Sequence, residues 1–218
     1  MTGKVLNADE LYYLAEYQNI SLLFGIPYEA PSSASVEGLI KKEILTSTGG
    51  LSLVTINYVE VLKKYAQADR YVHIQQYIFG LFNDGLCIIL KQVPVQDTIR
   101  FELFVGDALS MLEIALSHPI LKQSASIYYE KITTKTLDER TLPFSHSAPT
   151  LVIEIFNNEY QLEAQLAIGQ DNNQYYQLDE RNKLTTKIDI DPFKWFVDKV
   201  PQIVTIAQER IQEVKNHE

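Results

Sequence analysis

Apolar residues recur at helical spacing through the first third of the chain and then switch to alternation, and that change of period organises the sequence. Asn7 offers a side-chain oxygen at a helix start with Glu10 three residues on, an arrangement that satisfies two otherwise free N–H groups. Leu11, Leu14, Ala15, Leu22 and Leu23 follow mostly at helical spacing, and Gly25-Ile26-Pro27 ends the run. A second helix is expected over Val36–Leu45. A third runs from a Ser52 cap through Ala68, with Leu53, Ile56, Val59 or Tyr58, Leu62 and Ala66 on its apolar side.

From Tyr71 to Val93 the period is two, and β-branched and aromatic residues flank Asn83-Asp84-Gly85, which predicts a hairpin with a tight turn. Arg100–Val105 reads as a further strand. Asp107 is expected to cap a helix through about Ser117, stopped by His118-Pro119. Strands are expected at 126–134, 151–156, 160–168, 175–178 and 184–190, the last four as a meander. Asp191-Pro192 is a strong helix start, because aspartate caps and proline at the first helical position loses no hydrogen bond. That helix should run to about Lys215 with a kink or break at Pro201.

This order predicts an α+β fold, a largely antiparallel sheet built from a hairpin and a meander and flanked by helices. One domain, 1–218, is expected, with a candidate division into half-domains 1–135 and 150–218 about the loop 136–149. The net charge of −9 carries no basic stripe, so the chain would repel phosphate backbones and anionic lipid, and neither nucleic acid nor membrane is expected as a partner. No apolar run approaches the ~18 residues of a membrane span, and Met1–Glu10 lacks a secretory pattern, which predicts a cytoplasmic protein. The single cysteine, Cys87, lies within the apolar run Leu86–Leu90 and reads as a core residue.

Candidate chemistry is sparse. His73, His118, His146 and His217 stand in no ligand spacing, and His118 is read as a cation meeting a helix C-terminus. No nucleophile elbow or phosphate-binding glycine loop is present, and Asp189 and Asp191 are better explained by a strand end and a cap than by acid–base work. No enzyme activity, cofactor, metal or small-molecule substrate is therefore expected. Thirteen tyrosines, which supply rigid contact area with a polar tip, point instead to protein binding.

Leu6-Asn7-Ala8-Asp9-Glu10-Leu11, Phe24-Gly25-Ile26-Pro27, Gly38-Leu39-Ile40 through Gly49-Gly50-Leu51-Ser52, and the helix Tyr58–Leu62 leading through Tyr65–Ala68 into a strand hairpin carry a resemblance. In that order they resemble the EspG-type chaperones of ESX (type VII) secretion, as a Gram-positive relative of that family would. The resemblance implies a cytosolic chaperone that binds a helical-hairpin substrate, of WXG or LXG type, and keeps it soluble for export. It also implies that the partner is held by the hairpin turn, here Phe79, Leu81, Phe82, Asn83 and Asp84, and by the last helix, here Trp195 and Phe196. An immunity protein that neutralises a toxin is the alternative, since it too would be small, acidic and without an active site.

Overall fold

The computed structural model describes residues 4–48, 50–133, 149–172 and 174–217. The chain forms two compact units, one comprising Met1–Asp107 with Phe156–Gln161, the other Ala108–Ile155 with Leu162–Glu218. The chain passes from one unit to the other after Asp107, Ile155 and Gln161. The 136–149 segment expected to join two halves lies outside the described residues except for Pro149. Among the described residues the fold is α+β, with seven helices and eight strands.

The first unit opens with helices α1 (Ala8–Glu16), α2 (Ser33–Lys41) and α3 (Leu53–Ala66), then strands β1 (Arg70–Ile74), β2 (Tyr77–Leu81), β3 (Leu86–Val95) and β4 (Thr98–Asp107). The caps form where the sequence places them. The Asn7 N–H donates to Glu10 Oε2 at 2.8 Å, and the Thr55 N–H donates to Ser52 Oγ at 3.2 Å. Helix α1 stops at Glu16, earlier than its apolar run suggested. Leu22 and Leu23 follow a turn with Asn19 at positive φ, and Leu23 is buried there without being helical.

The expected single hairpin over 71–93 is three strands, because a further reversal at Gln75, also at positive φ, separates β1 from β2. The order is β4-β3-β2-β1 with antiparallel pairing throughout. Gly106 and Asp107 still pair with Cys87 and Leu86, so the strand continues to the residue before the next helix.

Tyr71, Ile78, Ile88, Leu90, Phe101 and Leu103 share one core with Leu11, Leu14, Tyr58, Leu62 and Tyr65. Phe24 packs in this unit against Tyr71, Phe156 and Tyr160, with ring centroids 4.5, 4.8 and 5.3 Å away. Val72, Ile74, Phe79, Leu81, Cys87 and Ile89, of the opposite parity, are buried as well.

The second unit contains helices α4 (Ala108–Leu116) and α5 (Pro119–Thr133), strands β5 (Thr150–Asn157, its last two residues belonging to the first unit), β6 (Leu162–Asp171), β7 (Gln174–Leu178) and β8 (Leu184–Ile188), and helices α6 (Pro192–Lys199) and α7 (Gln202–His217). The strands follow the order β5-β6-β7-β8. The strand expected at 126–134 is a correction, since 119–133 is helical. Pro119 opens that helix instead of stopping the one before it, as its missing N–H would have no partner in a first turn anyway. Ile120, Leu121, Ser124 and Ala125 are then buried at helical spacing.

Asp191 caps α6, accepting from the Lys194 N–H at 3.0 Å, and Pro201 separates α6 from α7, both as the sequence predicts.

Candidate functional site

The hairpin turn after β2 is held tightly. The Phe82 N–H donates to the Leu86 carbonyl at 2.9 Å, the Asn83 N–H to Asp69 Oδ2 at 2.8 Å, and the Leu86 N–H to Asp84 Oδ1 at 3.0 Å. Gly85 takes a φ of 83°, the left-handed position such a turn requires. Asn83 and Asp84 are exposed, Phe82 is half-buried against the core, and Phe79 and Leu81 are 0% and 1% exposed. In the second unit Phe196 is buried and Trp195 half-buried on α6.

Of the expected contact residues, then, Asn83, Asp84, Phe82 and Trp195 offer surface, whereas Phe79, Leu81 and Phe196 are core. The signal was in the sequence, because Tyr77–Leu81 and Leu86–Leu90 are nearly continuous apolar runs, and strands buried on both faces lose their alternation.

Other apolar side chains of the first unit are exposed. Leu53 is 82% and Val105 62% exposed, and Leu51, Ile56, Leu86 and Ile99 also reach solvent. Between α3 and β4 lies a cleft of about 220 Å³ lined by Asn57, Tyr58, Val61, Leu103, Phe104 and Val105. Sequence reasoning placed Leu53 and Ile56 on a core-facing stripe. It missed that Leu53 and Ile56, on the first turns of α3, reach solvent.

The second unit holds a wider, polar cleft of about 570 Å³ among Ser124, Ile127, Tyr175, Lys187, Asp189 and Asp191. Ser124 Oγ donates to Asp191 Oδ1 at 2.7 Å and accepts from the Phe193 N–H at 3.1 Å. Burial, and next the Asp191 charge, push the Tyr175 hydroxyl up. Asp191 Oδ1 thus serves both the helix cap and Ser124. Asp189 lines the cleft at the end of the strand segment.

The histidines are placed too. His118 is buried, with Nδ1 accepting from the Ile120 N–H at 3.3 Å and Nε2 facing the Thr150 carbonyl at 2.9 Å, so the neutral ring protonated at Nε2 fits both contacts. Burial lowers its pKa, which corrects the expected cation at a helix end. His73 Nε2 lies 2.7 Å from the Gln75 carbonyl. His146 and the His217 side chain lie outside the described residues. Burial raises the Cys87 thiol to about 12, with its Sγ directed at the Asp107 carbonyl, 3.2 Å away. Among the described residues no group of three or more His, Cys, Asp or Glu side chains could hold a metal ion, and no helix is long and apolar enough to cross a membrane.

Residues 2–199 match the family model described as Domain of unknown function (DUF5081). The chain belongs to the DUF5081 family. No curated protein matches it. The DUF5081 match spans both clefts, the hairpin turn and α6, and ends before α7.

Proposed function

We propose that this DUF5081 protein is a non-enzymatic binding protein, a cytosolic chaperone or adaptor that holds a helical-hairpin substrate of type VII secretion, of WXG or LXG type, soluble before export. The observation that carries the reading is the exposure of Val105 in the lining of the α3–β4 cleft, together with that of Leu53 and Ile56 on the first turns of α3. Clustered exposed apolar side chains are costly in a free monomer and mark protein contacts. The order of motifs from Leu6 to Ala68 supports the type of partner. The net charge of −9 suits a neutral or basic one.

Co-expression with WXG- and LXG-type hairpin proteins, followed by affinity capture and size-exclusion chromatography with light scattering, tests it. A stable complex that keeps the hairpin protein in the soluble fraction is the expected result. Capture of none of them would refute the reading, and rescue of cells from a co-expressed toxin would favour the immunity role instead.

A further inference from the structure

We infer that the free edge of β4, beneath the first turns of α3, is a docking slot for one extended segment of a partner polypeptide, which adds to the sheet as a further strand. This deepens the substrate-binding reading and rests on it. The Leu6 N–H donates to the Phe101 carbonyl and the Phe101 N–H to the Leu6 carbonyl, both at 2.8 Å, on the side of β4 away from β3. Backbone groups alternate sides along a strand, so the N–H and C=O of Leu103 and Val105 face the same open side.

Lys4 is off that edge, its N–H donating to Tyr58 Oη at 2.9 Å, and among the described residues nothing pairs with Leu103 or Val105 on this side. Open edges are ordinarily blunted by lysine, proline or a bulge. Leu103-Phe104-Val105 has none of these, and its pairing with β3 is regular.

Helix α3 supplies a roof. A Cβ on Gly80 of β2 would sit 3.0 Å from the Tyr65 ring, while Tyr58 lines the cleft at β4. From Tyr65 to Tyr58 the helix covers about 10 Å, which matches the two strand spacings from β2 to β4. Leu53 lies about 7.5 Å further along the axis, beyond the last strand. One added strand at about 4.8 Å spacing fits under that overhang, whereas a helix about 10 Å across does not.

The slot selects its occupant. A segment of about four residues with apolar side chains at alternate positions would pair with Leu103 and Val105 and turn those side chains toward Ile56 and Leu53. A second copy fits poorly, because antiparallel pairing of two β4 edges brings both α3 helices over the same short stretch. A standard interface between folded proteins buries about 1,600 Å², more than one short edge segment can supply.

The test uses the full chain and a WXG- or LXG-type hairpin protein with its flanking tails, with amide exchange read residue by residue. Val105→Pro is the decisive variant, because the N–H it removes points away from β3 and an edge strand tolerates proline there. Expected are protection of the Leu103 and Val105 amides only in the complex, at least tenfold weaker binding by Val105→Pro, and an unchanged melting temperature for that variant. Binding without protection at these amides, or undiminished by Val105→Pro in a folded variant, overturns the slot and leaves the chaperone reading standing. Protection already present in the free monomer assigns the edge to the chain itself, and a dimer lost on Val105→Pro assigns it to a second copy. Either overturns the inference. If no hairpin protein binds at all, both the slot and the chaperone reading fall.

Discussion

Gly38→Ala should destabilise the protein, although an alanine in a helix is worth about 1 kcal/mol over glycine. A methyl on Gly38 of α2 would overlap Glu10 Oε1 of α1. That carboxylate cannot simply swing aside, since Glu10 is 2% exposed, accepts from the Asn7 N–H at 2.8 Å and pairs with Lys42 Nζ. Breaking a buried ion pair from one side costs about 3–5 kcal/mol, and the lower end applies because the Lys42 side chain, 27% exposed, can rehydrate. Setting about 3 kcal/mol of loss against about 1 kcal/mol of propensity leaves a net destabilisation of about 2 kcal/mol. In a chain of this size that lowers the melting temperature by about 4–8 °C. Thermal unfolding followed by far-UV circular dichroism reads the shift. The same substitution in a Glu10→Ala background should raise stability by about 1 kcal/mol, because the overlapping group is gone and only propensity remains. Gly38→Ala that stabilises the wild-type background, or keeps the same sign in both backgrounds, would refute the reasoning.

Gly25→Ala combines a φ of 73° with overlap onto Ile78 Cδ1, and should cost about 2 kcal/mol or more by urea unfolding. Stability should fall as the pH drops through about 6.5, the ordinary histidine value: His118 has a lowered folded pKa, so the unfolded chain binds the proton first. His118→Phe should flatten that limb of the stability profile. On the alkaline side Cys87 is raised from 9.0 to about 12, and Tyr12, Tyr65 and Tyr71 shift upward as well. The unfolded chain releases these protons at lower pH than the native one, so stability should decline as pH rises from about 9 toward 12. Cys87 should also resist a thiol reagent at pH 8 in the native protein and react fully in urea. Rapid labelling of native protein would contradict its burial.

The Asn7–Glu10 cap, the Ser52 cap, the Asp191-Pro192 helix start, the Asn83–Gly85 turn and the break at Pro201 were all legible from the sequence. Each depends on side chains and backbone within a few residues of one another, so local spacing determines them. The α+β class followed for the same reason, because the periods of 3.6 and 2 are properties of short windows.

Tertiary structure decided what lies further apart. Residues 126–133 read as a strand locally, but their helix is set by the burial of Ile120, Leu121, Ser124 and Ala125 along one side. Leu81 and Phe82 looked like an apolar tip; the unbroken apolar run Tyr77–Leu81 pointed to burial, and the pairing of β2 between β1 and β3 is what buries Phe79 and Leu81. The exposure of Leu53, Ile56 and Val105 follows from where residues of α3 and β4, far apart in the chain, come to rest, and no short window of the sequence contains both. Composition and periodicity establish which elements form. Which apolar residues remain uncovered depends on how many strands the helix has to cover, and only the assembled sheet sets that number.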